Sequence, residues 1–337
     1  LPCLTALGSV AWLAWHLVVV AACTQAIAQN FEGESLLAAT ASEQSQASGD
    51  VFVAEVLATL VRRTNVTARL RYQSRLKETT LTGTGKFWQQ GVGNQHKTRW
   101  EMQTQVAGKT ASYVQIFDGN HLWTDRTLPS GRKVHRLDSA RLQSQLAKTT
   151  KQQGNNGLRQ SEWQPLLMAS QGQGGLAEML ADLLRRYSFS PPRLSQLNGL
   201  QVYALVGQWR QAELEKLWPD MKQDVNFSDW PEQLPHHVLL LVGRNNWFPY
   251  VVEHRRFDDA LLANSAIGDR PTQDPLLRYE IFEVQFAAAM DERLFQFKPG
   301  DIDWTDETTL VVGRLRSEAR SDSSGNSARR PRPNSRR

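Results

Sequence analysis

The eleven residues Tyr113-Val114-Gln115-Ile116-Phe117-Asp118-Gly119-Asn120-His121-Leu122-Trp123 set an Asp-Gly pair between two apolar and aromatic runs. Asp-Gly tolerates the positive backbone angles of the tight primed turns that join antiparallel strands. The segment therefore predicts a β-hairpin. Asn198-Gly199, between Leu194–Leu197 and the run Leu200-Gln201-Val202-Tyr203-Ala204-Leu205-Val206, predicts a second. The body of the chain is then expected to be largely antiparallel sheet.

Period-two alternation extends that expectation. Ala68, Leu70, Tyr72, Ser74 and Leu76 fall on one face of a strand, and Arg69, Arg71, Gln73, Arg75 and Lys77 on the other. Such a strand has one wet face. Further strands are expected at 85–89, 98–106, 112–117, 121–126, 133–137, 237–242, 250–257 and 278–286. Asp50 is placed to cap a helix whose apolar residues Phe52, Val53, Val56, Leu57, Leu60 and Val61 form one stripe. Leu176, Met179, Leu180, Leu183 and Leu184 repeat at helical spacing, and 211–217 also reads as helix. Residues 138–236 thus read as a helical insertion in the sheet.

The two ends of the chain differ from its body. Residues 4–28 are mostly apolar and close on Ala26-Ile27-Ala28, the small-x-small pattern that a signal peptidase cuts after. Residues 1–28 predict a signal peptide or a membrane anchor. Val20-Ala21-Ala22-Cys23 offers lipidation of Cys23 as an alternative. Both cysteines, Cys3 and Cys23, lie in this leader, so the domain behind it has no disulfide framework or thiol nucleophile. Residues 29–49 read as a Ser/Gln/Ala-rich linker, and 318–337 as a disordered Arg-rich tail. The net charge of +5 belongs to that tail. Residues 314–337 hold eight Arg against Glu318 and Asp322, and the remainder is close to neutral with 31 basic and 32 acidic residues. A folded nucleic-acid face is not expected.

The chain also lacks the usual marks of an enzyme or metal protein. His236, His237 and His254 have no carboxylate at metal-ligand spacing, and adjacent histidines at a strand start read as surface residues. Asp301, Asp303 and Asp306 do not have the spacing of a calcium loop. Asp118 is placed by turn geometry. No Gly-x-Ser-x-Gly elbow or complete phosphate loop occurs. No catalytic group, metal or cofactor is expected.

The order of parts is informative: leader, amphipathic helix, Gly83-Thr84-Gly85-Lys86-Phe87-Trp88, Thr98-Arg99-Trp100-Glu101-Met102, then the Phe117–Trp123 hairpin. It resembles the LolA-like family of periplasmic outer-membrane lipoprotein carriers over residues 50–127 and 237–304. Met290-Asp291-Glu292-Arg293-Leu294-Phe295-Gln296-Phe297-Lys298-Pro299 is similar to that family's final strand. Gln89-Gln90-Gly91 stands where the carriers have a basic residue and Pro, so their lid contact is not expected here.

The resemblance implies an α+β fold, mainly antiparallel β, over residues 50–317: a curved half-open β-barrel with helices covering its concave face. It implies non-enzymatic binding of lipid or lipoprotein acyl chains in an apolar cavity, in the periplasm or cell envelope. Candidate lining residues are Tyr72, Trp88, Trp100, Met102, Trp123, Leu239, Leu241, Val252 and Ile281. Alternation puts neighbours on opposite sides without saying which side is concave. A membrane-anchored sensor of the same fold, binding an envelope protein partner, is the alternative, with membrane association through the leader.

Overall fold

The computed structural model describes residues 36–76, 79–152, 172–218, 230–256, 275–286 and 290–313. The leader with Cys23 and the Arg-rich 318–337 lie outside them. In chain order the elements are α1 (Leu36–Arg62), β1 (Asn65–Leu76), β2 (Thr79–Gln90), β3 (Lys97–Val106), β4 (Lys109–Phe117), β5 (His121–Leu128) and β6 (Gly131–Asp138). Then come α2 (Ser139–Gln152), α3 (Gly175–Arg186), β7 (Tyr187–Phe189), β8 (Arg193–Leu197), β9 (Leu200–Trp209) and α4 (Gln211–Leu217). The chain returns through β10 (His237–Gly243), β11 (Pro249–Arg255), β12 (Leu277–Phe286) and β13 (Trp304–Asp306).

All thirteen strands form one sheet, ordered β13-β6-β5-β4-β3-β2-β1-β12-β11-β10-β9-β7, with β8 also on β9. Only β13 with β6 is parallel. The two ends of this path do not pair, so the sheet is open. It is also strongly curved. The rings of Trp100 on β3 and Tyr279 on β12 have centroids 5.9 Å apart, although β2 and β1 lie between their strands and flat strands are spaced about 4.8 Å each. Gly83 on β2 permits this closeness, because a Cβ there would sit 2.4 Å from the Tyr72 ring. This open, bent sheet with helices on its concave side is the architecture that the LolA-like resemblance implies.

The helices sit where their stripes demand. Val53, Val56, Leu57 and Leu60 of α1 and Leu176 and Leu180 of α3 are all at 0% exposure. They join Leu70, Phe87, Leu205, Val238, Leu240, Val252 and Ile281 from the sheet in one core. Burying each such side chain contributes about 1.5–3 kcal/mol before entropic costs.

Several local expectations change. Helix α1 begins at Leu36, well before Asp50, so Asp50 is not a cap. Its buried carboxylate instead accepts from Phe189 N at 2.7 Å and from Arg210 Nη2 at 2.6 Å, tying α1 to the β7–β9 edge. Residues 138–236 supply α2, α3 and α4 but also β7, β8 and β9, which widen the same sheet.

Asn198-Gly199 forms the expected primed turn with φ of 49° and 84°. At Asp118-Gly119 only Gly119 is positive, at 102°, and the Asp118 carboxylate shapes the turn by accepting from Asn120 N and His121 N, both at 2.8 Å. An Asx turn replaces the primed one. The turn that does have two positive angles on this side is Ala107-Gly108, at 50° and 75°, which joins β3 to β4. Residues 290–299 hold no strand: Asp291 accepts from Arg293 N and starts a 3-10 turn over Glu292–Phe295. His237 is buried rather than at the surface.

Candidate functional site: the concave face

Register decides which residues share the concave side. Leu70 lies opposite Gly85 and Ile281, Tyr72 opposite Gly83 and Tyr279, and Val252 opposite Tyr279. Gly85 pairs with Met102, and Phe87 with Trp100. Five of the nine candidate lining residues therefore meet on the helix-covered face: Tyr72, Trp100, Met102, Val252 and Ile281, all buried. The other four are one residue out of phase and point away. Trp88 lies beneath the Lys86 ammonium, 5.9 Å from its ring centroid. Trp123 stacks on Phe297 at 5.0 Å and meets Trp304 edge-on at 5.5 Å. Leu239 and Leu241 pack with Val202, Ala204 and Val251 in a small separate cluster.

Three residues not singled out from the sequence complete the concave site: Tyr113, Tyr279 and Arg126. Each follows from register, since Met102 pairs with Tyr113 and Tyr113 with Arg126. The signal was present in the short turn after Val106, which fixes the β3–β4 pairing. Tyr72, Tyr113, Tyr279 and Trp100 form an aromatic nook in which burial raises the phenols. Tyr72 is pushed up to about 12, with a hydrogen bond to Thr104 opposing. Tyr113 is raised by burial and by Glu178, against the pull of Arg126. Tyr279 is raised by burial and by the two other phenols.

Two donors in this region stand without an acceptor among the described residues. Trp100 is 6% exposed and its buried indole N–H has no partner. Arg126 places Nη2 3.1 Å from His135 Nε2, while its buried Nε has none. His135 pairs with Glu307 at 2.9 Å, and burial lowers its pKa although Glu307 opposes the shift.

The helices are tied down at particular points. The fully buried Gln89 donates from Nε2 to the carbonyls of Leu60 and Arg63, at 2.9 and 3.0 Å, and so holds the carboxyl end of α1. Thr98 donates to the Gln173 carbonyl at 2.8 Å, and Gly175 N donates to Gln115 Oε1 at 3.1 Å. Glu178 accepts from Gly172 N and Gly174 N at 3.0 and 2.8 Å. These ties gather at the amino end of α3. His96, 1% exposed, lies beside them and is lowered to about 4 by burial, with Gln173 opposing.

Apolar side chains of α1 and α3 pack against the floor in one buried cluster. One cavity bordered by described residues, of about 190 Å³, is lined by Arg71, Tyr72, Gln73, Thr82, Arg278 and Glu280, most of them in the outer-face phase of β1, β2 and β12. Across that outer face runs a ladder of ion pairs. Glu253, 2% exposed, accepts from Arg255 Nε and Arg278 Nη1, each at 2.6 Å, and Arg278 reaches Glu280 at 3.3 Å. Among the described residues no three His, Cys, Asp or Glu side chains gather to hold a metal, and no helix is long and apolar enough to cross a membrane.

No family model matches the chain, and no curated protein does. Solved structures do resemble it. MucB is 13% identical with a TM-score of 0.36, over 75% of this chain and 63% of that one, so the match spans less than two thirds of MucB. A putative outer membrane lipoprotein-sorting protein domain from Vibrio parahaemolyticus is 12% identical, TM-score 0.31, over 74% and 97% of the two chains. A LolA superfamily protein from Nitrosomonas europaea is 12% identical, TM-score 0.26, over 74% and 98%. None of these likenesses fixes a ligand or partner for this chain.

Proposed function

We propose that this protein is a non-enzymatic binding protein of the bacterial cell envelope, which takes acyl chains of a lipid or lipoprotein on its concave face after α1 and α3 are displaced. The observation that supports this reading is how those helices are held. Their bodies rest on the floor through Leu and Val side chains, and the hydrogen bonds that tie them lie at the carboxyl end of α1, at Asp50 and at the two ends of α3, the carboxyl end through Arg210, which donates to the Leu184 and Arg186 carbonyls. Apolar contact is non-directional and scales with area. An acyl chain can replace a helix face on this floor at a similar gain, about 25 cal/mol per Å² removed from water. The apolar run at residues 4–28 supports an exported location.

Native mass spectrometry of gently purified full chain, with uptake of a fluorescent fatty acid, tests the reading. Adducts of lipid mass and saturable uptake are expected. Absence of both would remove it. The packing of α1 and α3 on the floor favours a second reading, an anchored envelope module that recognises a protein partner. A membrane-bound pool that resists salt, together with no lipid uptake, would select that alternative.

A further inference from the structure

An apolar floor built for acyl chains has no need of buried hydrogen-bond donors, yet this one has them. The indole N–H of Trp100 is buried without an acceptor among the described residues, and so is the Nε–H of Arg126. A buried donor left unmade is costly, and such groups in native proteins call for an explanation. Trp100 and Arg126 lie on the same concave face, linked by register through Met102 and Tyr113. The Tyr279 ring stands edge-on to Trp100 at 5.9 Å.

We propose that the nook formed by Trp100, Tyr113, Tyr279 and Arg126 is the head-group end of the concave site, where the carbonyl oxygens of a bound acyl group accept from the Trp100 indole and the Arg126 guanidinium. This rests on the acyl-binding reading and adds polarity to it. The carbonyl anchors at β3–β5, and the hydrocarbon runs over the apolar floor toward Ile281 and Val252. Arg126 keeps a cation available because its contact on the same face is His135, which burial holds toward the neutral form. Other charges facing this region are Lys133, opposite Arg126 on β6, Glu178, whose carboxylate is engaged by Gly172 N and Gly174 N, and Glu307, which pairs with His135.

The acyl carbonyl can come from a free fatty acid or from an ester, so the test uses palmitate, methyl palmitate and hexadecane as competitors of a fluorescent apolar probe on the full chain. Both carbonyl compounds are expected to compete about tenfold better than hexadecane, the size of one charge-assisted hydrogen bond. Trp100→Phe keeps a ring and removes the donor, and should cost both carbonyl compounds most of their advantage over hexadecane in the same variant. Arg126→Gln should weaken palmitate more than its ester, and Arg126→Lys should restore part of the difference. Equal competition by all three compounds, or variants that melt like the native protein and keep its preference, would overturn the assignment. If no compound displaces the probe and the probe itself fails to bind, the acyl-binding reading falls first and takes this one with it.

Discussion

On the concave side of β1, β11 and β12, Leu70, Val252 and Ile281 lie at 0–1% exposure among the side chains of α1 and α3. One residue along, on the other side of the same strands, Arg71 pairs with Glu280, and Arg278 pairs with both Glu280 and Glu253. The backbone is common to both faces, so the difference is purely one of side-chain phase. It teaches that these strands are stabilised in two ways: apolar packing on one side, and ion pairs around the buried Glu253 on the other. The proposed acyl ligand is assigned to the packed side.

The comparison breaks most severely where the packing is densest. Phe87, fully buried and edge-on to Trp100 at 5.8 Å, lies at the centre of the concave floor. Phe87→Ala should cost about 4 kcal/mol by removing transferred area and leaving a cavity, read as a lower midpoint in urea at unchanged slope. On the opposite face, Glu253→Ala leaves the Arg255 guanidinium, 7% exposed, without its carboxylate. That loss should be about 3 kcal/mol, and unlike the first it should be largely reversed by Arg255→Leu in the same chain. Failure of the second substitution to restore stability would show that the two faces do not differ in kind.

Much of this contrast was legible in the sequence and part of it was not. The phase of β1 was written in Ala68, Leu70 and Tyr72 against Arg69 and Arg71, because a side chain's polarity reports its face directly. The aromatic residues carried no such report. Trp100 faces the helices, while Trp88 and Trp123 lie on the outer side against Lys86 and against Phe297 and Trp304. An indole suits either environment, so only register separates them. Ala107-Gly108 escaped notice as a turn because Ala at positive φ is uncommon, and the close β3–β4 connection forces it there. Gln89 illustrates the opposite case. The chain holds α1 with a neutral amide that donates to two carbonyls at the helix end, a role visible only once β2 and α1 are in contact.

Acid sharpens the comparison at the amino end of α3. His96 is lowered to about 4 from an ordinary 6.5 by burial, so the unfolded chain takes up a proton that the folded one refuses between those values. Its contribution is intact above pH 6.5 and is lost as pH falls toward 4, by up to about 3 kcal/mol. His236, also lowered to about 4 with burial as the first cause, shares the window. Glu178, raised by burial, acts in the opposite sense just above its ordinary range. Subtracting the stability profile of His96→Gln from that of the native protein cancels both. A difference that grows from pH 6.5 down to 4 is expected, and a flat difference would mean that His96 is readily solvated.

The smallest effect belongs to the strap on the outer face. Trp304 on β13 is 40% exposed, meets Trp123 edge-on, and carries the Arg136 guanidinium 4.2 Å from its ring centroid. A half-exposed aromatic pair contributes about 0.5–1.5 kcal/mol, and an exposed cation over a ring adds a similar or smaller amount. Trp304→Ala should therefore cost about 1 kcal/mol, with a coupling of about 0.5 kcal/mol to Trp123→Ala in a double-mutant cycle. Neither substitution should alter uptake of an acyl probe, because Trp123 points away from the concave floor. Loss of uptake on removing Trp123 would place a ligand on the outer face, and the functional distinction between the two sides would have to be reversed.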